Sequence, residues 1–381
     1  MQEMETKENQ IIHGVIWKQL LIFFFPILLG TFFQQIYNTA DTVVVGRFVG
    51  TEALAAVGGS TSQIINLIVG FFTGLASGAT VVISQHYGAK QEDGVQKALH
   101  TAYAFSVVGG IIISIMGILI TRPLLKLMNT PDNIIDLSAT YLCIYFAGLV
   151  FVFIYNVGAG ILRAVGDSRR PLYFLILCCF INIVLDIILI VFLKMGVAGA
   201  AIATTFSQGI SAVMVTVTLC RTTDIFRLRV KKIRFHAQPM GMIVKIGLPA
   251  GLQSVMYSLS NVIIQSSLNT FGTETVAAWT AFSKIDAIYW MISGAFGIAI
   301  TTFVGQNYGA GKFGRMKKSV RVCLAMDIGA SILISAVLFF LGGYVFQLFT
   351  GDAQVIEIGV NILRRMAPAY FCFTFIEIFA G

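Results

Sequence analysis

Charge is what this chain has least of. Of its 381 residues only 12% are Asp, Glu, Lys or Arg, while 57% are hydrophobic; an ordinary soluble domain carries about 25% charged residues. So few charges cannot coat a water-facing surface, which excludes a soluble globular protein. The six cysteines, Cys143, Cys178, Cys179, Cys220, Cys323 and Cys372, have no metal-ligand spacing and form no secreted disulfide framework. They read as small apolar fillers. No Walker or other nucleotide motif occurs, which argues against direct ATP drive, and no nucleophile–base set or metal cluster points to an enzyme. Residues 1–14 are polar with mixed charge and lack the basic n-region of a cleaved leader. The first apolar segment is therefore expected to stay in the mature protein.

What the chain has instead is long apolar runs, with a mean hydropathy of +0.84. Segments 20–45, 53–83, 98–120, 137–162, 172–193, 197–219, 243–268, 276–304, 320–341 and 358–381 are each near or above the ~20 residues a spanning helix needs. Ten spans are expected, many with Gly or Ser where helices pack closely in lipid.

The chain also reads as written twice. Phe48-Val-Gly-Thr-Glu-Ala-Leu-Ala-Ala56 returns as Phe271-Gly-Thr-Glu-Thr-Val-Ala-Ala278, and Gln85-His-Tyr-Gly-Ala89 as Gln306-Asn-Tyr-Gly-Ala310. Pro26 pairs with Pro249, and the offset drifts only from 223 to 221 over the repeat. The glycines of the Tyr-Gly-Ala loops release the chain from helix; matched prolines in the first helix of each copy would suit paired moving helices. At the same offset Gly381 meets Gly160, so the second copy is expected to lack two spans of a twelve-helix plan.

Positive charge reports orientation. With the N-terminus placed in the cytoplasm, 19 of the 26 Lys and Arg fall on that side and 4 on the other, the rest lying within spans. The positive-inside rule then sets an N-in topology. Six spans per copy make the two repeats parallel, related by an axis along the membrane normal. The expected organisation is an N-terminal lobe over 1–221, a cytoplasmic basic linker over 222–242 and a C-terminal lobe over 243–381. The basic run 227–234 is read as this linker rather than as a nucleic-acid surface.

An ionisable group within a span is a functional candidate by default. The first helix presents Gln34, Asn38 and Asp41 at i, i+4, i+7; the fifth presents Asn182 and Asp186; the sixth Thr204, Gln208 and Ser211; the fourth carries Asn156. Such oxygens are hard ligands that suit Na⁺. Equally, two close carboxylates in a low dielectric cannot both ionise cheaply, so the pair can carry a proton. The second copy has Asn261 in place of Asn38 but Ile263 or Ile264 in place of Asp41. Its charges, Lys284, Asp286, Asp327, Arg364, Arg365 and Glu377, are expected to form structural ion pairs, to sit at helix ends or, for Lys284, to line a cavity.

Pro26 followed by Asn38-x-x-Asp41, Ala55-Ala56, the two Gln-x-Tyr-Gly-Ala loops, Leu162-Arg163-x-x-Gly166-Asp167 and Asn182-x-x-x-Asp186 together resemble the multidrug and toxic compound extrusion (MATE) family over essentially the whole chain. The resemblance implies a two-lobed, V-shaped, twelve-helix exporter driven by Na⁺ or H⁺ entry through a rocker-switch movement. It assigns a first-lobe cation site to Asp41, Asn156, Asn182, Asp186 and Thr204. Another branch of the family carries an acid where this chain has Tyr257, and a tenth-helix acid near Phe373, one turn from Glu377. The pattern looks more like the branch named for the DNA-damage-inducible protein F. Gln34, Asn38, Tyr257, Asn261 and Lys284 are expected to line the cavity. No cofactor is expected besides the coupling ion. The expected setting is a monomer in a bacterial inner membrane, multi-pass, exporting a small amphipathic or cationic organic compound among membrane lipids, with no nucleic-acid partner. A flippase for lipid-linked oligosaccharides, which shares the two-lobed plan, is the competing reading; it would need a cationic cavity built from Lys284, Arg364 and Arg365.

Overall fold

Lipid cannot hydrogen-bond a polypeptide backbone, so a chain this apolar must satisfy its amides within helices or a closed barrel. A computed structural model describes residues 9–268, 271–348 and 350–380, and among them the regular structure is helical, with no strand. Residues 1–8, which include Lys7, and Gly381 lie outside the described residues. A short α1 (Gln10–His13) leads into α2 (Ile16–Phe48), α3 (Thr51–Gly58), α4 (Ser60–Gly88) and α5 (Glu92–Leu127). Then come α6 (Asp132–Ala147), α7 (Leu149–Ala164), α8 (Arg169–Asp186) and α9 (Gly196–Arg221). After the basic linker follow α10 (Ala237–Leu268), α11 (Thr273–Gly309), α12 (Phe313–Gln347), α13 (Ala353–Met366) and α14 (Tyr370–Ala380).

Among the described residues, eight helical segments are long and apolar enough to cross a membrane, and α6 with α7 makes a ninth if the pair, bent by 47°, is one span. These nine cover the first nine expected spans. The bend falls at Gly148, where a Cβ would strike the Thr205 side chain, so the residue that breaks the helix also lets α9 approach. The tenth expected span is not one helix. It is α13 and α14 separated by the 3₁₀ turn Ala367–Ala369. Pro368 in that turn has no N–H to continue the ladder and disfavours α geometry before it. Each piece is shorter than a span.

The described chain packs as two compact units whose boundaries fall inside helices. One unit is Leu29–Ser258; the other joins Met1–Leu28 to Leu259–Gly381. Sequence order alone suggested a division at the 222–242 linker, whereas packing divides α2 after Leu28 and α10 after Ser258. Within the Leu29–Ser258 unit the cause is close approach of small residues. Gly74 and Gly78 of α4, four apart, face Gly247 and Gly251 of α10, also four apart. A Cβ on Gly247 would stand 2.6 Å from the Leu75 carbonyl oxygen, and one on Gly251 2.8 Å from that of Phe71. This is the small-xxx-small contact by which helices associate in lipid.

In the other unit, Ile16, Leu20, Phe23, Phe24 and Ile27 of α2 are buried with Phe296, Ala299, Ile300 and Phe303 of α11, the Phe24 and Phe296 rings stacking at 4.1 Å. The short α1 is held by side chains. Asn9 donates to Gln306 Oε1 at 2.8 Å. Arg315 donates to the Ile11 carbonyl at 3.0 and 3.1 Å and also to that of Gly14.

Gly247→Leu is expected to lower the stability of the purified protein by about 1–3 kcal/mol, as overpacking does. Gly241→Ala, where a Cβ meets nothing within 4 Å, should leave the thermal midpoint essentially unchanged. Equal midpoints for both variants would refute the close-packing account.

Candidate coupling site

Within the Leu29–Ser258 unit three helix faces bring polar groups into an apolar interior. On α2 the buried stripe is Tyr37, Asp41 and Val45, one turn apart. On α8 it is Cys178, Asn182 and Asp186, with Asn182 and Asp186 fully buried. On α9 Thr204, Ser207, Gln208 and Ser211 are all buried. Immediately after Asp186 the helix widens into a π segment, Ile187–Phe192, a distortion often found next to functional side chains.

The stripes meet at Thr204. Its hydroxyl donates to Asp41 Oδ2 at 2.9 Å and accepts from the Asn182 amide at 3.5 Å. The side chains of Asp186 and Asn182 lie beside the Asp41 carboxyl, while Gln208 donates to the Tyr37 hydroxyl at 3.2 Å. On Asp41, Asn182 and Asp186 four buried oxygens are left without a hydrogen-bond partner, Asp41 Oδ1, Asn182 Oδ1 and both oxygens of Asp186; Gln208 Oε1 and Ser211 Oγ of α9 also lack one. The first four are all acceptors. Buried polar groups normally find partners, and neighbouring carboxylates repel unless something positive lies between them. A small hard cation or a shared proton satisfies that demand. The residues present therefore fit a coupling ion, which Asp41, Asp186, Asn182 and Thr204 would hold.

Other expected members lie elsewhere. Asn156 donates to the Val152 carbonyl of its own helix at 2.8 Å and lines a minute cavity with Phe72, Phe105 and Phe153. None of its hydrogen bonds reaches Asp41, so the structure does not join it to the cluster. Gln34 and Asn38 are exposed, whereas Asp41 is buried. Asn38, three positions from Asp41, is turned aside by about 60° and so flanks the buried stripe; Gln34, seven positions away, is only about 20° off that face, so the angle does not account for its exposure. Tyr257, Asn261 and Lys284 are also exposed. Two tyrosines were not among the expected site residues. Tyr37 stands one turn before Asp41. Tyr141 of α6 is buried within reach of Thr204 and Asp41, and no polar spacing on its helix announced it.

The described acids of the other unit form no ion pairs among the described residues. The three salt bridges among the described residues are Lys97–Asp93, Arg122–Asp136 and Arg170–Asp167. Asp286 accepts from Tyr370 at 2.7 Å and Trp290 at 2.8 Å. Asp327, fully buried, accepts from Ser293 at 2.9 Å. Glu377 lies against Gly294 and Gly297. Arg364 and Arg365 are exposed, the former over the Phe339 ring at 5.8 Å. Neutral donors thus take the place of the expected ion pairs.

The MatE family model matches residues 26–188 and 249–381, two segments that begin at Pro26 and Pro249. This chain belongs to the MatE family. As a MatE protein it is a multi-pass membrane transporter and not an enzyme. It is 29% identical to the probable multidrug resistance protein YoeA of Bacillus subtilis over 97% of this chain and 82% of that one. It is 24% identical to the multidrug export protein MepA of Staphylococcus aureus over 94% of this chain and 80% of that one. Among solved structures, an outward-facing multidrug resistance MATE transporter of the MOP superfamily superposes with a TM-score of 0.90 at 25% identity, covering 99% of this chain and 84% of that one. A MOP superfamily transporter from Pyrococcus furiosus, whose binding pocket has reversed polarity, superposes with a TM-score of 0.91 at 26% identity, covering 100% and 85%.

Thr204→Val in this MatE protein removes the hydroxyl that ties Asn182 to Asp41 while keeping its volume. Cation-induced or acid-induced stabilisation of the purified protein is expected to need about tenfold more ion, or about 1.4 kcal/mol, and Thr204→Ser should restore it. If both variants respond like the parent, Thr204 has no part in ion binding.

Proposed function

We propose that this chain is a secondary active exporter of small organic, amphipathic or cationic compounds. It couples export to entry of Na⁺ or H⁺ by alternating access in a bacterial plasma membrane, its N-terminus cytoplasmic. The observation that carries this reading is the buried Asp41–Thr204–Asn182–Asp186 cluster with four unpaired acceptor oxygens. A cluster short of positive charge binds its ion when shielded from water and releases it when solvated, as a coupling site requires. Membership of the family, and the multidrug names borne by YoeA and MepA, support drug-like substrates. The two family-model segments beginning at the matched prolines support two parallel repeats as the moving bodies.

The flippase reading would gain if Lys284, Arg364 and Arg365 turned inward while Asp41 faced lipid or water. Asp41 is buried and all three cations are exposed, so nothing favours that reading over export.

The test is dye efflux from everted membrane vesicles energised separately by a Na⁺ or a H⁺ gradient. One gradient should drive efflux, and Asp41→Asn or Asp186→Asn should reduce that efflux about tenfold or more at equal protein level, the loss typical of an essential ion ligand. Undiminished efflux in either variant rejects the coupling assignment, and no efflux under either gradient rejects antiport.

A further inference from the structure

The linker between α9 and α10 is folded rather than loose. Phe226 and Leu228 are buried, and the Leu228 amide donates to the Leu219 carbonyl at 2.9 Å. Gln96 of α5 donates to the Ile225 and Arg227 carbonyls. His100 bonds through Nδ1 to the Gln96 carbonyl at 2.7 Å and accepts at Nε2 from the Arg229 amide at 3.1 Å, so both ring nitrogens are engaged. The His236 amide donates to Thr101 Oγ1 at 3.1 Å. Every one of these anchors lies within the Leu29–Ser258 unit.

This folding creates a recess of about 530 Å³ between the start of α5 and the linker, bordered by Lys97, Arg229, Lys231, Lys232 and Arg234. Glu92 and Asp93 are its acids, and Asp93 is already paired with Lys97 at 2.6 Å. The side chains of Arg229, Lys231 and Lys232 make no hydrogen bond or ion pair among the described residues. Desolvation first, then the nearby charges of Arg234 and Lys97, hold His236 below the usual histidine range, against an opposing pull from Asp93. Setting topology requires only positive charge on a loop; it does not require a folded backbone that gathers three unpaired cations around one recess. Between those cations, Val230 and Phe235 are 63% and 49% exposed. Helix α9 ends at Arg221 and the next span begins at Ala237, so the linker lies at the membrane surface.

We propose that this recess binds a phosphate-bearing anion, namely the headgroup of an anionic phospholipid, through Arg229, Lys231 and Lys232, while Val230 and Phe235 enter the acyl boundary. Arginine suits planar, bidentate phosphate contact and lysine acts as a point charge. Clusters of such residues beside a span attract anionic lipid, and interfacial apolar side chains add affinity that a free phosphate cannot use. This site is separate from the coupling cluster and does not depend on the transport reading.

The full chain, purified in neutral detergent, would be titrated with phosphatidylglycerol, with phosphatidylcholine and with inorganic phosphate. Thermal midpoint and retained lipid by native mass spectrometry are the readouts. Three proteins are compared: the parent, Arg229→Gln/Lys231→Gln/Lys232→Gln, and the charge-matched Lys317→Gln/Lys318→Gln/Arg321→Gln, altered at exposed positions of α12. Phosphatidylglycerol should stabilise the parent and the α12 variant. The linker variant should retain about tenfold less of it. Equal retention by all three proteins, or equal loss in the two variants, would overturn the site. Stabilisation by inorganic phosphate that the linker variant loses, with phosphatidylglycerol inert, would keep the phosphate recess and overturn the lipid as its occupant.

Discussion

Lipid supplies neither hydrogen bonds nor counter-charge, and the rest of this structure follows from that. Backbone groups close upon themselves in helices. Serines and threonines on the spans mostly bond back to carbonyls of their own helix, as Thr80, Thr121 and Thr301 do. Described acids of Leu259–Gly381 also draw on neutral donors. Asp286 accepts from the Tyr370 hydroxyl and the Trp290 indole, and Asp327 from the Ser293 hydroxyl, although Asp327 Oδ1 is left unpaired. Asp41 and Asp186 differ in lying close together. Three of their four carboxylate oxygens and Asn182 Oδ1 lack a partner, and this concentrated deficit gives the cluster chemical meaning.

The second consequence concerns how helices meet. In lipid there is little hydrophobic gain from pressing one apolar helix on another, so contact is governed by how closely backbones approach. The pairs Gly74/Gly78 and Gly247/Gly251 allow that approach for α4 and the first part of α10. Aromatic and aliphatic stacking, led by Phe24 on Phe296, does the equivalent for the first part of α2. These contacts draw the compact units across two continuous helices and away from the boundary that sequence order suggests.

Much of the site was legible in the residues. A helix repeats every 3.6 residues, so Asn182 and Asp186, or Thr204 and Gln208, declare a shared face without any knowledge of neighbours. Burial of Asp41, Asn182, Asp186 and Thr204 agrees with that reading. Asn38 shows its resolution: the interval from Asn38 to Asp41 leaves an angular offset large enough to separate an exposed residue from a buried one. Asn156 shows its limit, since a position on α7 does not say which helix its amide will face. Tyr141 was invisible because a lone tyrosine on an apolar helix looks like packing. Hydropathy averages across Pro368 and so does not reveal the 3₁₀ turn that separates α13 from α14 within the tenth expected span.

The sequence by itself determined that this is a helical membrane protein of the MatE family and where on each helix its acids stand. Those properties depend on local hydropathy, local periodicity and short motifs. Only the tertiary structure decided that Thr204 bonds Asp41, 163 positions away, that the Asn156 amide bonds within its own helix, and that the linker cations surround a recess on α5. Each of these depends on which faces of distant helices meet, and that is set by close packing between side chains far apart in the chain.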